Sequence, residues 1–240
     1  MFVWTPGRPP ERIADGVWLV RGGFPAKTMN VYLVEDDGGV TAFDAGIASM
    51  TGSVAAAGAR LGGVKRVVLG HADADHRGAA PGLKAPVFCH PAERTAAESP
   101  ASFRDYWDFG KLRAPVNVVM PKLLTHWDGG AVGITGTVAE GDELAGFRVI
   151  DLPGHAPGLI GLFRESDRLA LCSDCIYTLG VQTGIRGRAR VPLAAFNLNS
   201  EQARASIRKL ADYEPASVWP GHARPVRGDV RAQLERAAAA

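Results

Sequence analysis

The chain has 240 residues, with Lys+Arg 27 against Asp+Glu 25 and 46% hydrophobic residues, so it is globular and carries no basic field that would draw nucleic acid. Its length supports one well-buried α/β domain spanning 1–240. No apolar run approaches the ~20 residues of a bilayer span, and MFVWTPGRPPERIADG lacks the charged head and apolar stretch of an export signal, which points to a cytoplasmic protein with neither a membrane nor a nucleic acid as partner.

Along the chain, short β-branched runs alternate with alanine-rich stretches, and Gly or Pro marks the joints. Strands are expected at VWLVRG, NVYLVE and GVTAFDA, with Asp36-Asp37-Gly38-Gly39 as the hairpin turn between the last two. A helix from about Ser49 to Leu61 follows, then a buried strand in VKRVVLG, Val64 to Gly70. A short strand APVFC, a polar and aromatic stretch SPASFRDYWDFGKLRAP, and strands FRVIDL, GLIGLF and RLALCS come next. The chain closes with a capped helix from about Ser200 to Tyr213, a strand ASVWP and a helix DVRAQLERAAAA.

Several strands end at residues that bind metals. VVLG precedes His71, VIDL precedes Pro153-Gly154-His155, LALCS precedes Asp174, and SVWP precedes Gly221-His222. Strand ends of layered α/β proteins converge on one edge, where ligands and reactions are placed. The densest stretch is GHADADHRGAA, with His71, Asp73, Asp75 and His76 inside six residues. A lone histidine is more often a hydrogen-bonded structural residue, but four at strand ends beside Asp73, Asp75 and Asp174 make the ligand set of zinc, iron and manganese.

HADADH, LPGHAPG, SDC and WPGHA, together with the early FDAG (Phe43 to Gly46), resemble in order and spacing the successive motifs of metallo-β-lactamase-fold hydrolases. The resemblance covers most of the chain. It implies an αββα sandwich with the site at one edge between the two sheets, and two divalent ions, zinc first with iron or manganese as competitors. Carried over by position, the first ion would take His71, Asp73 and His155, the second Asp75, His76 and His222, and Asp174 would bridge. Asp44 would support the metal loop without ligating. The family usually has histidine at position 73. An aspartate there still ligates through oxygen, lowers the net charge of the metal pair by one and favours harder ions; the alternative is that Asp73 turns away and leaves the first site weak.

Two ions ~3.5–4 Å apart hold a hydroxide between them while one polarises a carbonyl, which is hydrolysis of an ester, lactone or thioester in a small-molecule acyl substrate. Asp75 or Asp174 would handle the proton passed to the leaving group. Asp174 and Tyr177 form a D-x-x-Y arrangement resembling that of lactonases in the superfamily, where the phenol would donate to the developing oxyanion; a core tyrosine is the alternative. The competing branches are a glyoxalase II-like thioesterase, a mononuclear iron enzyme like the persulfide dioxygenases using His71, His155 and Asp174, and a metal-binding relative without turnover. The substrate and the oligomeric state are not legible.

The remaining features receive plainer readings. Cys172 and Cys175 form a CxxC with no second pair to complete a tetrahedral site, so both are read as packing residues, and the odd count of three cysteines, with Cys89, argues against a disulfide framework. His90 and His126 are read as structural or exposed. Phe103, Tyr106, Trp107 and Phe109 are read as a lid over an apolar substrate, with the buried face of an insert as the alternative, and Arg186, Arg188 and Arg190 as a solvated loop, with a hold on a substrate carboxylate or phosphate as the alternative.

Overall fold

The computed structural model describes residues 9–240, so part of the opening stretch read for an export signal, residues 1–8, lies outside the described residues. The first half of the chain builds a seven-stranded sheet in sequence order: β1 (Glu11–Ala14), β2 (Val17–Gly22), β3 (Met29–Asp36), β4 (Gly39–Phe43), β5 (Val64–Val68), β6 (Val87–Cys89) and β7 (Gly136–Thr137). Its first four strands run antiparallel and the rest parallel. The turn between β3 and β4 places Asp37 and Gly38 at φ 43° and 80°, the pair of left-handed residues that a type I′ hairpin demands.

The second half adds β8 (Glu143–Leu144), β9 (Phe147–Asp151), β10 (Ile160–Arg164) and β11 (Leu169–Ser173), then a separate ribbon of β12 (Tyr177–Leu179) and β13 (Arg186–Arg190), then β14 (Ser217–Pro220) and β15 (Val226–Arg227). The second sheet has the order β15-β14-β11-β10-β9-β8, with β11 and β14 parallel.

Three apolar layers hold the sheets and helices together. Tyr32, Val34, Phe43 and Val68 of the first sheet meet Phe147, Val149, Ile160, Leu171 and Trp219 of the second. Successive side chains of a strand point to opposite faces, so Val31 and Leu33 of β3 turn to the outer side. There they meet the helix α1 (Thr51–Ala59), the short turns α3 (Ala80–Leu83) and α4 (Arg94–Glu98), and α5 (Val116–Trp127), while the turn α2 (Ala74–Arg77) lies between α1 and α3 in the chain. On the far side α6 (Ser200–Asp212) and α7 (Val230–Ala239) cover the second sheet with Ile207, Leu210 and Leu234. Asn199 caps α6 by accepting from the amides of Glu201 and Gln202. The result is the αββα sandwich expected from sequence.

The helix expected from about Ser49 to Leu61 is shorter. A 3₁₀ turn occupies Ala48–Met50, and α1 stops at Ala59 because Gly62 and Gly63 follow at φ 92° and 100°, outside the helical region. Among the described residues no helix is long and apolar enough to cross a membrane.

Candidate metal centre

Strands of both sheets end at the same rim. His71 follows β5, His155 follows β9, Asp174 follows β11 and His222 follows β14, while α2 brings Asp75 and His76 back toward His71. Asp73, Asp75 and Asp174 and the four histidines are thereby brought together, and three overlapping groups emerge: His71, Asp73 and His155; Asp75, His76 and His222; and His71, His76 and Asp174. In each group one donor atom per residue lies within 4.8 Å of the others.

Individual distances show how the carboxylates sit among the rings. Asp73 Oδ2 is 3.2 Å from His71 Nε2 and 3.3 Å from His155 Nε2. Asp75 Oδ2 is 3.3 Å from His222 Nε2. Asp174 stands in the middle, with Oδ1 3.4 Å from His76 Nε2, and Oδ2 3.3 Å from His222 and 3.8 Å from His155. Despite these approaches, His71 Nε2, His76 Nε2 and Asp174 Oδ1 are buried and make no aligned hydrogen bond. Buried polar atoms are ordinarily paired. Unpaired nitrogens and a carboxylate oxygen aimed at common points are what a divalent ion requires, so the residues present fit one.

The far nitrogens of the rings are fixed. Asp44, fully buried, accepts from His76 Nδ1 at 2.9 Å, from Ser173 Oγ at 2.8 Å and from the Gly70 amide at 2.7 Å. With its proton committed to Asp44, Ser173 Oγ is the acceptor for His71 Nδ1 at 3.2 Å. Asn197 Oδ1 lies 3.1 Å from His155 Nδ1, and its amide group is spent on Pro192 O and Ser200 Oγ. In His71, His76 and His155 the Nδ1 is thus a donor, which leaves Nε2 as the atom that would face an ion. Close approach here demands glycine twice: a Cβ on Gly70 would fall 2.5 Å from Ser173 Oγ, and one on Gly221 2.5 Å from both Asp174 Oδ1 and His76 Cε1.

Asp73 keeps its second oxygen for Arg104. The Arg104 Nε donates to Asp73 Oδ1 at 2.6 Å, and its Nη2 donates to Glu93 Oε2. Glu93, fully buried, also accepts from the Ala72 amide at 2.9 Å and the Gly158 amide at 3.0 Å, tying together the loops that carry Asp73 and His155. Asp73 therefore faces the centre, and its charge is offset by a guanidinium that counting carboxylates in the sequence leaves out. Next in the chain to His76, the buried Arg77 donates to the carbonyls of Ala97, Ser99 and Ala101 and pairs with Asp128 at 2.8 Å. It pins the α4 end and the insert that holds Arg104.

Burial disfavours every charge here, and the close packing of opposite charges overrides it. Burial opposes ionisation of Asp73, but Arg104 and His71 hold its carboxyl well below the usual range. Asp174 is likewise lowered by His222 and His76 against burial. His76 is raised, chiefly by Asp174 and Asp44, and His222 is raised to about 9, chiefly by Asp174. Without a metal, protons thus supply the positive charge that these carboxylates call for. Tyr177 is raised by burial and by Asp174, so its phenol keeps its proton.

The centre forms the floor of a cavity of about 280 Å³. Tyr177 lines it edge-on to both His155 and His222, with ring centroids 6.0 and 5.7 Å away. Trp107 lines the cavity, packing with Phe103, Phe109 and Phe196 in one aromatic cluster, while the phenol of Tyr106 is buried without a partner. Cys89, Cys172 and Cys175 are free thiols in the apolar layers. His90 caps the turn at Pro91–Glu93, and His126 is exposed on α5. Arg186 and Arg188 are exposed on β13. Sequence reading missed Arg104, Glu93, Asn197 and Ser173; only Ser173, inside SDC, lies in a motif that flagged the site.

Two stacked sheets between helical layers, with buried histidine and carboxylate at one rim, define a metal-binding α/β protein. The sequence pattern of the Metallo-beta-lactamase superfamily matches residues 27–222, and the chain belongs to that superfamily. It is 28% identical over 229 residues to the probable metallo-hydrolase YflN of Bacillus subtilis, covering 86% of this chain and 84% of that one. Among solved structures it resembles a metallo-beta-lactamase family protein of Thermus thermophilus, with TM-score 0.69 and 24% identity over 95% of this chain and 80% of the other. It also resembles a protein crystallised in a di-iron-bound form, with TM-score 0.62 and 26% identity over 90% and 97% of the two chains.

Proposed function

We propose that this chain is a hydrolase of acyl bonds, cleaving an ester, lactone or thioester at two divalent ions, with zinc the first choice and iron the nearest competitor. The observation that carries the reading is the set of buried histidines and carboxylates brought from both sheets to one centre, with His71 Nε2, His76 Nε2 and Asp174 Oδ1 unpaired and Asp73, Asp75, His155, Asp174 and His222 lining one cavity beside Tyr177. His71, Asp73 and His155 would hold one ion, Asp75, His76 and His222 the other, and Asp174 would lie between them. When bound, such ions lower the pKa of a coordinated water and polarise a carbonyl.

The chain's own residues supply the rest. Tyr177 donates its O–H to the carbonyl oxygen as negative charge develops there. Asp75 and Asp174, the carboxylates bordering the cavity beside His222, receive the proton that passes to the leaving group. The apolar wall excludes competing water. Support for iron as an alternative comes from the di-iron-bound neighbour and from the oxygen-rich donor set that Asp73 creates.

The test is metal analysis of protein prepared without chelator, paired with a panel of esters, lactones and thioesters. About one to two ions per chain and turnover on at least one substrate class are expected. Substoichiometric metal, with no activity restored by zinc, iron or manganese, would refute the reading. Metal-dependent oxygen uptake without hydrolysis would replace it with an iron oxygenase.

A further inference from the structure

The floor of the cavity sets the chemistry, but its wall decides what enters. Trp107, Val119, Met120, Leu123, Trp127 and Phe196 form that wall, and no lysine or arginine is among the described residues that line it. Arg104 is 9% exposed at its side chain and is committed to Asp73 and Glu93. Arg113 and Arg190 border a neighbouring cavity that shares Tyr177, Leu179 and Val181 with this one, and not the main cavity itself.

A carboxylate or phosphate on the far part of a substrate would therefore be buried against hydrocarbon without a partner, which is strongly unfavourable. We propose that the site takes an uncharged ester or lactone carrying a medium-length hydrocarbon chain, the chain lying along α5 and the aromatic cluster while the carbonyl reaches the floor. The choice of ester or lactone rests on the hydrolase reading above; the hydrocarbon chain rests on the wall. The cavity, about 280 Å³ in volume, is finite and must take the acyl head as well as the chain, so the chain length it accepts has a limit.

A homologous series of 4-nitrophenyl esters from acetyl to dodecanoyl, assayed on the metal-loaded protein, tests the proposal. Burial of each methylene should raise kcat/KM by about two- to fourfold. The rise should level off within the series as the cavity fills. An ester of the same length ending in a carboxylate should fall at least about tenfold below its uncharged counterpart. Val119, 45% exposed at the mouth, accepts substitution without opening the core, and Val119→Asp should flatten the series.

A second measurement needs no turnover. Because Trp107 and Trp127 line the cavity, titrating chelated protein with 2-decanone should change tryptophan fluorescence saturably, and Val119→Asp should weaken that response. Hydrolysis with a flat or inverted chain-length series would overturn the inference and leave the hydrolase reading standing. Saturable 2-decanone binding without hydrolysis of any substrate would remove the hydrolase reading and keep the chain-binding wall. A flat series and no ketone response would overturn the wall argument outright.

Discussion

Replacing Arg104 by methionine removes the guanidinium and keeps much of the apolar stem. Asp73 then loses the 2.6 Å bond to its outer oxygen, and nothing fixes Oδ2 toward His71 and His155. A hydrogen bond to a charged group is worth ~1.5–3 kcal/mol, and loss of a partner that orients a metal ligand costs ~10–100-fold in affinity, or ~1.4–2.7 kcal/mol. The two figures agree, so Arg104→Met should weaken the first ion by about that factor while the second, held by Asp75, His76 and His222, stays in place. Stability of the metal-free protein should fall by ~3–5 kcal/mol, because two buried carboxylates lose their shared cation. Competition titration against a chromogenic chelator gives the affinities, and the visible spectrum of the cobalt-substituted protein reports the first site's geometry. A cycle with Asp73→His decides the mechanism. With imidazole at 73 the guanidinium keeps Glu93 as its partner but no longer steers a ligand, so Arg104→Met in that background should cost clearly less affinity than in the parent. Equal losses of affinity in both backgrounds, or none in either, would refute the view that Arg104 positions Asp73.

Other outcomes follow from the same geometry. Tyr177→Phe should lower turnover on the best acyl substrate by up to ~10²–10³ with metal content unchanged, since the ring stays and only the oxyanion donor goes; unaltered steady-state constants would make it a packing residue. The three buried cysteines, with Cys89 pushed up to about 12 chiefly by burial, should react with Ellman's reagent only when the protein is unfolded, and rapid labelling of native protein would contradict their placement. In chelated protein, His222 is raised from an ordinary value near 6.5 to about 9, so its stabilising contribution is complete below pH 6.5 and is lost as pH rises through 9. The Tm of chelated protein should fall across that window. Metal-loaded protein, whose His222 is held neutral by the ion, should show no such fall, and parallel curves would argue against His222 as a ligand.

What could be read from the sequence divides along physical lines. His71, Asp73, Asp75 and His76 are close in the chain and so are legible as a motif, the strands before His71, His155 and His222 follow from runs with β-branched residues ended by Gly or Pro, and the one before Asp174 from the apolar run LALCS. α5 was not legible, because VNVVMPKLLTHW opens with β-branched residues and carries Pro121 inside the helix, both unfavourable to helix locally; the buried Leu124 and Trp127 fix it by tertiary packing. The two-residue strands β7, β8 and β15 have no periodicity to detect. Arg104 lay in a stretch read only for its aromatics. Its pairing with Asp73 spans 31 residues with no element between them that predicts the meeting, so a charge count taken from the motif alone overstated the negative charge at the first site.

The origin of the donors has a thermodynamic consequence. His71, Asp73, Asp75 and His76 come from the half of the chain that builds the first sheet, and His155, Asp174 and His222 from the half that builds the second, with His222 also bridged to Met29 at the start of β3. Neither half alone holds a complete set for either ion. Under the proposed ligand assignment, each ion is a non-covalent crosslink across the layer interface, and its binding free energy adds to the cohesion of the two halves. By the same linkage, a substitution deep in that interface, at Phe147 or Trp219, neither of them a donor, would be felt as weaker metal retention before it was felt as unfolding.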